Sequence, residues 1–153
     1  MRRVMFDSNA IDPIADTSGA FEALQEATKA GRLEILYTHV TIDELVAIPD
    51  LDRRQHLTLL MVELGKLVPT GATVLDFSRL NFCRLGADDE QDMLEELRSQ
   101  NIRHSRDALI GITARTEGCA LVTNDERLAK RAAEIGVETL TTRTLLDEVA
   151  NWL

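Results

Sequence analysis

Short apolar runs alternate along the chain with longer segments in which apolar residues recur every three or four positions. The runs of strand length predict five β-strands, which are Arg2–Phe6, Leu33–Tyr37, Thr73–Phe77, Cys119–Thr123 and Val137–Leu140. The segments with helical spacing predict seven α-helices, which are Gly19–Ala30, Thr41–Ala47, Leu51–Val68, Asp88–Gln100, Ser105–Glu117, Asp125–Ile135 and Thr144–Leu153.

This alternation of strands and helices predicts the fold class. It indicates an α/β protein with a central parallel sheet of about five strands, right-handed crossovers and helices on both faces. The sequence contains no internal repeat, low-complexity tract or linker, so residues 1–153 are expected to form a single domain. In such a sheet, ligands bind beyond the carboxyl ends of the strands, near the point where strand order reverses.

Composition narrows the class of protein. Hydrophobic residues make up 44% of the chain and charged residues 28%, as in a soluble globular protein. No apolar run approaches the length of a membrane helix or a signal peptide, and the two cysteines, Cys83 and Cys119, are expected to be free thiols in a reducing cytoplasm. The net charge of −9 disfavours broad electrostatic binding of nucleic acid, unless cations neutralise part of it.

Four acidic residues are predicted to approach the same edge of the sheet. Asp7 follows the first strand, and Asp125 follows the fourth. Glu44 is predicted in the first turn of the helix after the second strand, and Asp107 in the first turn of the helix at Ser105. The carboxyl ends of parallel strands and the adjoining helix starts share one edge, so three of these side chains are expected there. Asp107 precedes the fourth strand, and the acidic helical segment before it must bring its helix start to the same edge.

Each acid also has a purely local interpretation. Asp7 could be a turn residue. Glu44 could complete a capping box with Thr41. Asp107 could complement a helix dipole, and Asp125 could cap the helix that follows it. These local roles remain open for each residue taken alone.

The combination of four acids favours a metal site. Carboxylates that converge repel one another, and their burial is unfavourable unless cations neutralise them. Carboxylates are the ligands that Mg²⁺ and Mn²⁺ prefer. A pair of such ions can activate water and stabilise an in-line displacement at phosphorus. Two divalent cations would also offset part of the net charge of −9, at the place where a substrate would bind.

Four motifs resemble those of the PIN-domain nucleases: DSNAID at residues 7–12, THVTIDEL at 38–45, RDALIGITA at 106–114 and LVTNDERL at 121–128. Within that family, the chain looks most like the VapC-type toxins of bacterial toxin–antitoxin modules. The resemblance covers nearly the whole chain, and the match around Glu44 is the loosest of the four. It implies a PIN-like domain and Mg²⁺- or Mn²⁺-dependent cleavage of RNA.

The resemblance also implies roles for individual residues. Asp7, Glu44, Asp107 and Asp125 match the catalytic, metal-binding acids of the family. Two polar residues match positions that support those acids, namely Thr123 and Asn9. Family toxins generally form homodimers and are silenced by a cognate antitoxin, so both are expected partners beside the RNA substrate.

Basic residues near Asp107 have two interpretations. Arg103 and Arg106 could bind RNA phosphates beside the metal centre, or they could balance the acidic segment Asp88–Gln100. His39 lies close to Glu44 in sequence, but a lone loop histidine is usually structural, and it is not included among the predicted site residues.

Two other functions compete with a metal-dependent endoribonuclease. One is phosphoryl transfer through an aspartyl phosphate on Asp7, although Asn9 stands where a second aspartate is usual. The other is a non-catalytic PIN-like module that binds RNA or protein. All four acidic positions are filled, which argues against loss of activity.

Overall fold

The computed structural model describes residues 1–72, 78–79, 81–84 and 105–152. Within them lie five strands, which are β1 (Arg2–Phe6), β2 (Leu33–Tyr37), β3 (Gly65–Leu67), β4 (Ala120–Val122) and β5 (Thr139–Leu140). The α-helices are α1 (Asp12–Asp16), α2 (Ala20–Lys29), α3 (His39–Val46), α4 (Leu51–Leu64), α5 (Ser105–Thr116), α6 (Glu126–Glu134) and α7 (Thr142–Ala150). A short 3₁₀ turn, Ser8–Ala10, follows β1.

The five strands form one parallel sheet in the order β3-β2-β1-β4-β5. The chain builds outward from β1 to β2 and β3, and then returns to place β4 on the other side of β1. The order therefore reverses between β1 and β4. The crevice at their carboxyl ends is where this type of sheet binds ligands.

Side chains of the central strands alternate between two apolar cores, as the pleat of a strand requires. In β1, Val4 and Phe6 belong to the core beneath α2, α4 and α7, whereas Met5 faces the core formed with α5 and α6. The predicted α/β architecture, with helices on both faces of a parallel sheet, is confirmed. In the described part of the chain, no helix is long and apolar enough to cross a membrane.

The third strand differs from the prediction. The predicted helix Leu51–Val68 ends at Leu64, and Gly65–Leu67 forms edge strand β3 beside β2. Gly65 is extended at φ −118° and ψ 175°, and the Val68 amide donates to the Tyr37 carbonyl at 2.9 Å. Glycine is a poor helix former, and pairing with β2 satisfies the backbone beyond it. The predicted strand Thr73–Phe77 and helix Asp88–Gln100 lie outside the described residues.

Helix α1, which the sequence analysis did not predict, is linked to α4 by ion pairs. Arg53 contacts the carboxylates of Asp12 and Asp16, each at 2.7 Å. The guanidinium of Arg53 lowers the pKa of Asp16 through these hydrogen bonds. Arg53 therefore links α4 to α1, and its guanidinium balances the charges of Asp12 and Asp16.

Close contact between β3 and β2 leads to a stability prediction. A Cβ added at Gly65 would lie 2.7 Å from Cδ1 of Tyr37, a ring that is 6% exposed. We expect Gly65→Ala to lower the free energy of unfolding by about 1–3 kcal/mol, because the ring or the edge strand must move. Chemical denaturation measures this difference.

Gly111→Ala is the matched control. A Cβ there would meet only Ile135 Cδ1, at 3.9 Å, and Gly111 lies inside α5. Alanine favours the helix by up to about 1 kcal/mol over glycine, so this variant should be at least as stable as the wild type. Equal stability of Gly65→Ala and Gly111→Ala would contradict the tight packing of β3.

Candidate functional site

Asp7 is buried at the carboxyl end of the central strand. Its side chain is 5% exposed, and its backbone amide continues the β1–β4 pairing by donating to the Val122 carbonyl at 3.1 Å. Its Oδ1 accepts a hydrogen bond from the Ser8 amide at 2.8 Å, and its Oδ2 accepts one from the Thr123 hydroxyl at 2.9 Å. The turn interpretation of Asp7 is thus partly correct, since it caps the 3₁₀ turn while its other oxygen contacts β4.

The helix that carries Glu44 begins earlier than predicted. Thr38 is the N-cap of α3, and its side chain accepts from the Thr41 amide at 3.4 Å. Thr41 lies inside the helix, where its hydroxyl donates to the Phe6 carbonyl at 3.2 Å. The capping-box interpretation is therefore wrong, and Glu44 lies in the second turn of α3 rather than the first.

Glu44 points instead toward the loop after β1. The Ser8 hydroxyl donates to Oε2 of Glu44 at 2.5 Å. This bond joins α3 to the residue that follows Asp7. Sequence analysis did not identify it, because nothing in a local pattern relates two residues separated by 36 positions.

Three of the predicted acids interact electrostatically. Burial, together with the charges of Glu44 and Asp107, raises the pKa of Asp7 to about 7, although the hydrogen bonds from Thr123 and Ser8 act in the opposite direction. Burial also raises the pKa of Glu44, and the charge of Asp107 acts in the same direction. Asp107 is half-buried in the first turn of α5. The charges of Glu44 and Asp107 therefore disfavour the ionised form of Asp7, and the charge of Asp107 disfavours that of Glu44.

Asp125 is connected to this group through Thr123. It is the N-cap of α6, and its Oδ1 accepts from the amides of Arg127 and Leu128 at 2.8 and 3.2 Å. Its own amide donates to the Thr123 hydroxyl oxygen at 3.1 Å, and that hydroxyl donates to Asp7. The capping interpretation of Asp125 is thus correct, and the Thr123 hydroxyl connects the backbone of Asp125 to the carboxylate of Asp7.

A network of amides and hydroxyls supports the loops after β1 and β4. Asn9 Oδ1 accepts from the Asn124 amide at 2.9 Å and lies 3.4 Å from the Thr123 hydroxyl. The Asn124 side-chain amide donates to the Asn9 carbonyl at 3.1 Å and to the Thr142 hydroxyl at 3.0 Å. Thr142 in turn donates to the Ala10 carbonyl at 2.9 Å. Asn124 and Thr142 were missed by the sequence analysis; the position of Asn124 between Thr123 and Asp125 was the available signal.

The predicted basic residues and His39 have different outcomes. Arg106 is exposed and close enough to Glu44 for its charge to lower the pKa of that carboxylate. Arg103 lies outside the described residues. His39 is not a loop residue: it is the first residue of α3, is 4% exposed, and its ring centroid lies 6.1 Å from that of Phe82.

The chemistry of the acids fits a divalent cation with oxygen ligands. Carboxylate oxygens are the donors that Mg²⁺ and Mn²⁺ prefer, and a cation would relieve the mutual repulsion of Asp7, Glu44 and Asp107. Within residues 1–72, 78–79, 81–84 and 105–152, however, no three His, Cys, Asp or Glu side chains are grouped to hold one ion. In the described structure, Glu44 is bonded to Ser8, and Asp125 is bonded to the first turn of α6.

The raised pKa of Asp7 leads to a prediction about the metal-free protein. Since the folded pKa is about 7 against 3.8 for an ordinary aspartate, the folded state binds more protons than the unfolded state between these values. The contribution of Asp7 to stability therefore falls as pH rises from about 4 to 8, and its ionisation costs on the order of 4 kcal/mol. We expect Asp7→Asn to be more stable than the wild type at pH 8 and to converge with it near pH 4.

Urea denaturation in the presence of a chelator, at several pH values, measures this effect. Asp147→Asn serves as control, because Asp147 is exposed on α7, and it should leave the pH dependence unchanged. An Asp7→Asn protein that is less stable than the wild type at pH 8 would show that the Ser8 and Thr123 hydrogen bonds outweigh the burial of the charge.

Comparisons with known proteins agree with this architecture. Similar structures include PAE2754 from Pyrobaculum aerophilum, 18% identical, with a TM-score of 0.59 over 98% of both chains. Another is VapBC2 from Rickettsia felis, solved with a DNA fragment from its promoter, 14% identical, with a TM-score of 0.58 over 91% of this chain and 98% of that one. VapBC-1 from nontypeable Haemophilus influenzae is 10% identical, with a TM-score of 0.55 over 92% and 98%. At these identities the likeness shows the fold alone.

The sequence itself identifies the family. No curated protein sequence matches the chain significantly. The family described as PIN domain matches residues 4–134, which include all four predicted acids as well as Asn9 and Thr123. Proteins of this family are mostly nucleases that use divalent metals. The chain therefore belongs to the PIN domain family.

Proposed function

We propose that this protein is a metal-dependent endoribonuclease that hydrolyses phosphodiester bonds in RNA. The observation that carries the proposal is that Glu44 and Asp107 come near enough to Asp7 for their charges to raise its pKa, at the point where strand order reverses. Three separate segments of the chain supply these acids, and a turn or a helix cap requires no such convergence. Membership of a family composed mostly of metal-dependent nucleases supports the same conclusion.

Each acid has a role in this proposal. Asp7, Glu44, Asp107 and Asp125 would hold Mg²⁺ or Mn²⁺. A bound divalent cation would supply activated water and offset the negative charge that develops on the oxygens around phosphorus. Thr123 fixes Oδ2 of Asp7 through its hydroxyl, so that this carboxylate keeps one orientation.

Supporting residues complete the site. Asn9 holds the loop after β4 through the Asn124 amide. Arg106 is exposed beside the acids and would bind a backbone phosphate of the RNA, as would Arg103. Because the net charge of the chain is −9, such local positive charge matters more here than in a basic protein.

A toxin role is part of the same proposal. The motifs resemble VapC toxins, and the fold is similar to that of VapBC2, a toxin–antitoxin pair solved with promoter DNA. We therefore propose a cognate antitoxin and a homodimer as partners of this chain. A small partner with a DNA-binding N-terminus, encoded by the neighbouring reading frame, would support this role.

Two alternatives make different experimental predictions. A non-catalytic PIN-like module would bind RNA or protein without cleaving it. An aspartyl-phosphate enzyme would form a phosphoaspartate on Asp7, which could be trapped chemically. The second alternative is disfavoured because Asn9 stands where a second aspartate is usual. Its Oδ1 instead accepts a hydrogen bond from the backbone amide of Asn124.

Substitution of the acids tests the proposed activity. We expect Asp7→Asn and Asp107→Asn to lower the rate of RNA cleavage with Mn²⁺ by at least about 100-fold, because each removes a charged ligand. Cleavage of labelled single-stranded and structured RNA measures the rate, and circular dichroism checks that each variant is folded. Asp147 is exposed on α7, and Asp147→Asn should cleave RNA as the wild type does. Full activity of both acid variants would contradict the proposal.

Metal binding provides a second, independent measurement. A cation that binds only the folded state raises the midpoint of thermal unfolding by mass action. We expect millimolar Mn²⁺ or Mg²⁺ to raise the midpoint of the wild type and to have a smaller effect on Asp7→Asn. If neither ion shifts the wild type, the non-catalytic module becomes the better description.

A further inference from the structure

Ser8 contacts two of the acids at once. It is the first residue of the 3₁₀ turn after β1 and is half-buried. Its backbone amide donates to Oδ1 of Asp7 at 2.8 Å, and its hydroxyl donates to Oε2 of Glu44 at 2.5 Å. A single residue thus joins the carboxylate at the end of β1 to the carboxylate on α3.

The backbone of this turn restricts where the Ser8 hydroxyl can lie. The Ala10 amide donates to the Asp7 carbonyl at 3.1 Å and closes the turn. The Ser8 amide is engaged by Asp7, so the Cα of Ser8 has a fixed position relative to that carboxylate. The hydroxyl can therefore act as a fixed donor for Glu44.

The orientation of the Glu44 side chain depends on such a donor. Its side chain reaches from the second turn of α3 toward Asp7 and Asp107, whose charges disfavour its approach. A glutamate has three rotatable bonds, so repulsion alone would turn it toward solvent. A charge-assisted hydrogen bond from a hydroxyl is short and strong enough to hold it in place.

We propose that Ser8 is a positioning residue that orients Glu44 for metal binding. This inference rests on the proposed function, and it assigns Ser8 no direct contact with metal or RNA. Partners that orient a metal ligand typically contribute 10–100-fold to metal affinity. Ser8 would do so through the one bond that its hydroxyl makes to Glu44.

Calorimetric titration of the metal-free full-length protein with Mn²⁺ tests the inference. We expect Ser8→Ala to weaken Mn²⁺ binding by about 10–100-fold while thermal unfolding remains cooperative. Ser8→Thr keeps the hydroxyl and should restore most of the affinity. A loss in Ser8→Ala that Ser8→Thr fails to restore would overturn the inference if the threonine variant folds as the wild type does.

A double-mutant cycle separates positioning from a general structural role. In a Glu44→Ala background the acceptor is gone, so adding Ser8→Ala should change Mn²⁺ affinity by less than about twofold. A loss as large as in the wild-type background would overturn the inference, because Ser8 would then act on something other than Glu44. The cycle uses Mn²⁺ up to the millimolar range, so that weak binding remains measurable.

The outcomes distinguish this inference from the function on which it rests. A wild type that neither binds Mn²⁺ nor cleaves RNA would contradict the proposed function, and this inference with it. A wild type that does both, with unchanged Mn²⁺ affinity in Ser8→Ala, would contradict the inference alone. Loss of cleavage in Ser8→Ala with unchanged Mn²⁺ affinity would instead point to a nucleophilic serine, and would also overturn it.

Discussion

A carboxylate buried at the end of the central strand must receive its hydrogen bonds from the protein. Asp7 obtains them from the Ser8 amide and the Thr123 hydroxyl, which belong to the loops after β1 and β4. These two bonds fix both loops relative to the sheet. Much of the geometry of the candidate site follows from this one buried group. Ser8 also donates a hydrogen bond to Glu44, and Thr123 also accepts one from the Asp125 amide.

The same loops tie the C-terminal part of the chain to the site. Asn124 bonds both Asn9 and Thr142, and Thr142 is 1% exposed at the start of α7. Helix α7 lies beyond the residues that match the family, 4–134, yet its first residue holds the Ala10 carbonyl. Packing of α7 and order at the acidic edge are thus coupled through one buried hydroxyl.

Sequence periodicity predicted most of the sheet because β1, β2 and β4 are buried on both faces and appear as continuous apolar runs. It failed at β3, a three-residue edge strand whose conformation depends on pairing with β2 rather than on its own residues. The candidate acids were likewise found from their positions after strands and at helix starts, since parallel strands bring their carboxyl ends to one edge. The bond between Ser8 and Glu44 was not predictable, because it depends on the rotation of α3 about its axis.

A comparison within the chain argues that the acidic edge is not ordinary surface charge. Asp12 and Asp16 also lie close together, but Arg53 contacts both, and its hydrogen bonds lower the pKa of Asp16. At the edge of the sheet, burial and neighbouring carboxylates raise the pKa of Asp7 to about 7, and burial also raises that of Glu44, although the charge of Arg106 acts against this second shift. The fold therefore balances the charges of Asp12 and Asp16 with an arginine. At Asp7 and Glu44, in contrast, it makes the ionised carboxylates unfavourable. An arrangement that destabilises the folded chain at neutral pH is the one that the cation of the proposed function would relieve.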